Sequence, residues 1–134
     1  MSKPTVFISY SHSDSEWVRR FANTLKEQNV AVWLDEWQVA AGESIVEALE
    51  TGLRASDVIV AVLSSHNIAS PNVLFELGFA VGMGKRLIPI VPRGLEISMI
   101  PFDLRSRKFL IQGQPDETAH EVITALEKEV KDPG

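Results

Sequence analysis

Apolar positions change their period several times along this chain, and each change marks a new element. Thr5 to Ser9 is a short apolar β run. Trp17, Val18, Phe21, Ala22 and Leu25 then recur at helical spacing behind Ser13 and Glu16, which form a capping-box pattern. Val30 to Leu34 predicts a second strand. Ser44 and Glu47 repeat the capping-box pattern before Ile45, Ala48, Leu49 and Leu53, predicting a second helix that ends near Ala55. Asp57 leads into Val58 to Leu63, a continuous aliphatic run of the kind expected where a strand is covered on both faces. A third helix begins with Ser70 as N-cap and Pro71 as first helical residue and is apolar nearly all round as far as Gly84. Leu87 to Val91 is the fourth strand, and after an irregular stretch rich in Pro and Arg, Lys108 to Ile111 offers a short fifth. Ala119, Val122, Ile123, Leu126 and Val130 mark the inner face of a closing amphipathic helix.

Strands and helices that alternate in this way predict an α/β fold, a flavodoxin-like three-layer sandwich with helices on both faces of a mostly parallel sheet. The expected sheet has five strands in the order 2-1-3-4-5. In that topology ligands bind beyond the carboxyl ends of the strands, near the switch point between strands 1 and 3. The segments delivered there are Tyr10 to Ser13, Asp35 to Glu43 and Ser64 to Ser70, followed by the first turns of the third helix.

Composition narrows the class. A length of 134 residues fits one domain with one core, and 45% hydrophobic with 23% charged residues sets aside disordered and fibrous classes. The formal charge of -5, with no basic block, argues against nucleic acid or an anionic membrane as partner. Cysteine is absent, which removes disulfides, thiolate zinc sites and cysteine nucleophiles. The strand-like Val6-Phe7-Ile8 comes too early to leave room for a signal peptide, and no apolar stretch approaches membrane-spanning length, so a cytoplasmic protein is expected. Residues 1–134 are expected to form a single domain. Its tail, Lys131-Asp132-Pro133-Gly134, reads as a helix stop and linker, equally compatible with excision from a longer protein.

One charged residue stands out in the third helix. Glu76 lies within the otherwise uncharged run from Ser70 to Gly84, where a carboxylate must be desolvated, partnered or placed at an opening. It falls near the helix start, whose positive dipole end favours the ionised form, and on the strand-order argument it lies near the cleft. The first loop, Ser9-Tyr10-Ser11-His12-Ser13-Asp14, is rich in hydroxyls that suit a ribose or phosphate, and reads equally as a polar turn with a helix cap. Trp33 and Trp37 flank Asp35; such a pair can stack on a base or nicotinamide ring, although Trp33 inside a strand reads equally as core. His12, His66 and His120 show no HxH or HExxH spacing, so no metal site is expected. No GxGxxG or GxxxxGK[ST] motif supplies a phosphate cradle. Gly82-Met83-Gly84 fits a helix C-cap, with Lys85-Arg86 expected to complement the negative end of that helix. Gly78 and Gly82 suit close packing of helix on sheet.

Together these residues resemble the Toll/interleukin-1 receptor (TIR) domain family, in its prokaryotic form, over almost the whole chain. The carriers are Val6-Phe7-Ile8-Ser9-Tyr10-Ser11, Val32-Trp33-Leu34-Asp35 before a loop ending Ala41-Gly42-Glu43-Ser44, and Ala55-Ser56-Asp57-Val58. Ser70-Pro71 through Phe75-Glu76-Leu77 and Gly84-Lys85-Arg86-Leu87-Ile88-Pro89-Ile90 complete the pattern. The resemblance implies an enzyme that takes NAD+ as substrate, needs no further cofactor, and cleaves the nicotinamide-ribosyl bond with Glu76 as catalytic residue. It implies Ser9, Tyr10, Ser11, Trp33, Asp35, Trp37 and Asn72 as substrate-binding positions. It also implies that Asp35 to Ser44, with Ala41, Gly42, Glu43 and Ser44 at its end, is a loop for self-association or for other TIR domains, on which activity depends. Asn72 departs from the tryptophan that the family often carries four residues before the glutamate, which leaves hydrolysis against cyclisation open. The arginine that some relatives place beside the tyrosine is also missing. Two alternatives stand beside this reading: a TIR interaction module without turnover, and an enzyme similar to nucleoside 2-deoxyribosyltransferases, on the shorter likeness of Phe75-Glu76-Leu77-Gly78-Phe79-Ala80 and Gly84-Lys85.

Overall fold

Five short β runs align side by side into one parallel sheet. The computed structural model describes residues 4–10, 12–36, 52, 54–64, 84–94 and 109–131. The strands are β1 (Thr5–Tyr10), β2 (Ala31–Glu36), β3 (Val58–Val62), β4 (Arg86–Val91) and β5 (Leu110–Ile111), in the order β2-β1-β3-β4-β5. Every neighbouring pair is parallel, as expected for strands separated by helical crossovers. The helices are α1 (Ser15–Glu27) and α2 (Pro115–Lys131), with a 3-10 turn at His12–Asp14 joining β1 to α1. The third helix expected from Ser70, the irregular stretch after it and most of the second helix lie outside the described residues. Of the second helix, Gly52 and residues 54–55 are helical, in keeping with an end near Ala55.

Strand alternation sorts the sheet into two faces. Val6, Ile8 and Tyr10 of β1 share one face with Val58, Val60 and Val62 of β3 and with Ile88 and Ile90 of β4. They join Val18, Phe21 and Leu25 of α1 and Ala119, Val122, Ile123 and Leu126 of α2 in a single hydrophobic cluster. Each fully buried side chain of this size contributes about 1.5–3 kcal/mol relative to exposure. The inner face expected of α2 is therefore the observed one for these four positions, while the side chain of Val130 lies outside the described residues. Arg86 adds a polar tie on the same side, its Nη1 donating to the Ala125 carbonyl of α2 at 3.0 Å. Trp17 stacks on Phe21 with ring centroids 5.1 Å apart and donates its Nε1–H to the Gly113 carbonyl at 3.0 Å, holding the turn after β5 against α1.

The opposite face carries Phe7 in register with Trp33 and Ile59, and Ile59 in register with Leu87. The second helix passes over it at close range. A Cβ on Gly52 would stand 2.6 Å from Cε2 of Phe7, so only glycine allows this approach.

Several boundaries differ from the pattern-based expectation, each for a stated reason. The 3-10 turn takes Ser13, so Asp14 occupies the N-cap position of α1 in place of the expected serine, with no side-chain cap bond of its own. β1 and β2 run on to Tyr10 and Glu36 because their ladder continues to that pair. β5 is only two residues long, since β4 offers it partners at Ile90 and Val91 alone. The Lys85 ammonium donates to the carbonyls of Arg54 and Ser56, and Arg86 reaches α2; the helix they were expected to complement lies outside the described residues.

Candidate functional site

Toward the carboxyl end of the sheet one face changes in side-chain size, while Tyr10, Val62 and Ile90 keep the other face apolar. On the face opposite α1 and α2, the row Trp33, Phe7, Ile59 and Leu87 is bulky, and the next row toward the carboxyl ends is Asp35, Ser9, Ala61 and Pro89. One step along each strand thus exchanges a large side chain for a smaller one. Ser9 is a buried hydroxyl in this row, 2% exposed, between the main chains of Asp35 on β2 and Ala61 on β3. That is the switch point, because the strand order reverses at β1, which has β2 on one side and β3 on the other. Burying a hydroxyl there costs free energy unless it is hydrogen-bonded, which makes Ser9 a polar mark at the place where this topology receives ligands.

Tyr10 goes the other way. Adjacent strand residues point to opposite faces, and Tyr10 is 5% exposed within the cluster shared with α1 and α2. The structure therefore does not bring Ser9 and Tyr10 together on one surface. Trp33 lies one row below Asp35, its ring 3.5 Å from where a Gly52 Cβ would be, and it is 45% exposed at the sheet edge. It is neither a core tryptophan nor a rim residue. Asp35 lies on β2 beside Ser9 by register. Ser11, Trp37, Ala41, Gly42, Glu43, Ser44, Asn72 and Glu76 lie outside the described residues.

Four positions whose structural work the sequence did not disclose sit toward the amino end of the same strands. Asp57 forms a two-way clamp on β1: its backbone N–H donates to the Thr5 carbonyl, and its Oδ2 accepts from the Thr5 N–H, both at 2.9 Å. The buried Ser56 hydroxyl donates to the Gly52 carbonyl at 2.8 Å, closing the last helical turn before β3. Lys85 caps the same turn from across the sheet. The Ala55-Ser56-Asp57-Val58 segment is thus architecture, about a strand's length from the rim where chemistry is expected. Gly52 is the fourth case. A glycine inside a helical pattern is the available signal, since it weakens the helix unless a close approach requires it.

Comparison with known proteins agrees with this architecture. The family model described as TIR domain matches residues 6–125, from within β1 to within α2. The "2' cyclic ADP-D-ribose synthase AbTIR" of Acinetobacter baumannii is 37% identical over 73 residues, covering 54% of this chain and 27% of that protein. The "NAD(+) hydrolase TcpA" of a Theionarchaea archaeon is 37% identical over 60 residues, covering 44% of this chain and 18% of that protein. The matched segments thus span less than a third of either relative's length. Among solved structures, the TIR domain of the Toll-related receptor TRR-2 from Hydra magnipapillata superposes with a TM-score of 0.69 at 20% identity, covering 95% of this chain and 98% of that one. A match that runs from the first strand to the last helix, on a sheet with this strand order, places the chain in the TIR domain family.

Proposed function

We propose that this chain cleaves the nicotinamide-ribosyl bond of NAD+, with the Glu76 carboxylate as the working group. The observation that carries the reading is the likeness at 37% identity to relatives named as an NAD(+) hydrolase and a cyclic ADP-ribose synthase. The polar Ser9 row at the switch point supports it from the side of geometry. Nicotinamide in NAD+ is cationic. The C1′–N bond breaks with its electron pair going to the ring nitrogen, so the base leaves neutral and no acid has to protonate it. Positive charge develops at C1′ and the ring oxygen, and one ionised carboxylate nearby lowers the energy of that state. Water then adds at C1′ and releases a proton, which gives ADP-ribose; a ribose hydroxyl adding instead gives a cyclic product.

In this reading Ser9, Ser11 and Asp35 line the ribose end, and Trp37 with Asn72 borders the nicotinamide. Trp33 supports the rim from the row below, and Tyr10 positions the first loop through the core. Assembly through the segment Asp35 to Ser44 raises activity. The test is nicotinamide release from NAD+ by wild type and Glu76→Ala, each free and clustered on beads. We expect clustered wild type to turn over and Glu76→Ala to fall by about a hundredfold or more, with its circular dichroism unchanged. Clustered wild type as silent as the variant would reject the enzyme reading and leave an interaction module.

A further inference from the structure

We propose that Arg93, in the turn after β4, holds the diphosphate of the dinucleotide. The inference rests on the NAD+ reading above and extends it to a part of the substrate that does not react. In this fold ligands lie beyond the carboxyl ends of the strands, and Arg93 stands there, just past the last residue of β4, Val91. Among the described residues it is the only arginine or lysine in a turn leaving the carboxyl end of a strand. Arg54, Lys85 and Arg86 stand at the amino ends of β3 and β4, while Arg19, Arg20, Lys26, Lys128 and Lys131 lie within helices. Arg93 is exposed and forms no ion pair or hydrogen bond with another described residue. Arg20, by contrast, pairs with Glu16, and Lys85 and Arg86 are bound to backbone carbonyls. The backbone around Arg93 is set on both sides. Pro92 has its φ fixed by its ring, and Gly94 has φ +88°, in the left-handed region that favours glycine. A Cβ on Gly94 would meet nothing within 4 Å, so the turn and not packing calls for glycine there.

Charge and spacing select the ligand group. The diphosphate of NAD+ is doubly anionic, and the chain has a formal charge of -5, so the field of the whole molecule opposes it. A guanidinium at the rim offsets that locally, because its fork of N–H donors matches two phosphate oxygens at once. The first loop cannot supply one, since Ser11-His12-Ser13-Asp14 contains no Arg or Lys. Ser9 lies on β1, and β3 separates that strand from β4, so the two positions are two strand spacings apart, about 10 Å. In NAD+ the ribose and its C5′ methylene stand between the bond that breaks and the diphosphate. The group that binds the diphosphate therefore belongs along the rim from Ser9, not beside it.

The experiment is calorimetric titration of the full chain with ADP, which carries the diphosphate, and with adenosine, which does not. Wild type is compared with Arg93→Ala, Arg93→Lys and Arg19→Ala. Wild type is expected to bind ADP more tightly than adenosine, and Arg93→Ala to weaken ADP about tenfold or more while adenosine binding holds. Arg93→Lys should recover part of the loss, because it keeps the charge without the fork. Arg19→Ala removes another exposed arginine, on α1, and should change neither titration. In clustered protein, Arg93→Ala should raise KM for NAD+ by a similar factor with little change in kcat. Wild type that binds ADP no more tightly than adenosine overturns the proposal. So does Arg93→Ala that binds ADP like wild type, and so does Arg19→Ala that weakens ADP equally. The cleavage reading fails separately: ADP binding that depends on Arg93, beside clustered wild type that releases no nicotinamide, leaves the diphosphate site standing without the reaction.

Discussion

Asn29 shows how a single residue can settle where an element stops. It has φ +66°, the one non-glycine residue with positive φ among those described, immediately after α1. Its N–H donates to the Lys26 carbonyl at 2.9 Å and the Val30 N–H to the Leu25 carbonyl at 3.0 Å, which is the double closure of a Schellman motif. Val30 and Leu25 are both buried, so the hydrophobic contact that accompanies this motif is in place and turns the chain directly into β2. Asparagine tolerates the left-handed conformation better than other side chains but less well than glycine. Asn29→Gly should therefore stabilise by a few tenths of a kcal/mol and Asn29→Ala should destabilise by about 1 kcal/mol, both measured by urea unfolding. Gly84 also has positive φ, +70°, which glycine adopts without steric cost; the helix it was expected to cap lies outside the described residues. The site was legible unevenly at this scale. Ser9 was marked by its hydroxyl within an apolar strand. Tyr10 was grouped with it because β1 was expected to end at Ser9, and the extra pair with Glu36 instead extends the strand and turns the tyrosine to the other face.

At the scale of elements, the contact between the second helix and the sheet depends on Gly52. The 2.6 Å approach to Cε2 of Phe7 leaves a methyl nowhere to go, and Phe7 is itself buried in the sheet with Trp33 beside it. Gly52→Ala removes a helix-weakening residue, worth up to about 1 kcal/mol in favour of the variant. It also forces the ring or the helix to move, which costs about 1–3 kcal/mol. The clash wins, and a net loss in thermal stability is expected. Phe7→Leu in the same background should recover part of it if the ring is the obstacle; no recovery would show that the helix backbone is what moves. Gly52 was hidden in the sequence because a helix glycine reports that something is near without saying what.

For the whole molecule, the pairing of β1 with β3 is the non-local step, since it closes a loop of about fifty residues before any reward is returned. Asp57 stands at the start of that pairing and grips Thr5 with both its backbone and its carboxylate. Asp57→Ala keeps the backbone bond and loses the carboxylate bond, for an expected loss of about 1 kcal/mol, or roughly 4 °C in Tm by calorimetry. Asp57→Asn should retain part of it, because the side-chain carbonyl still accepts.

The sequence by itself determined the elements, their order and the parallel sheet. Periods of 2 and 3.6 residues are local, and alternating strands and helices admit few topologies. Only the tertiary structure decided which face Ser9 and Tyr10 take, where Lys85 and Arg86 reach, why Gly52 is glycine, and that Trp33 lies exposed at an edge. Those outcomes depend on contacts between residues far apart in the chain, and the partner that decides each one is not written into the local pattern around it.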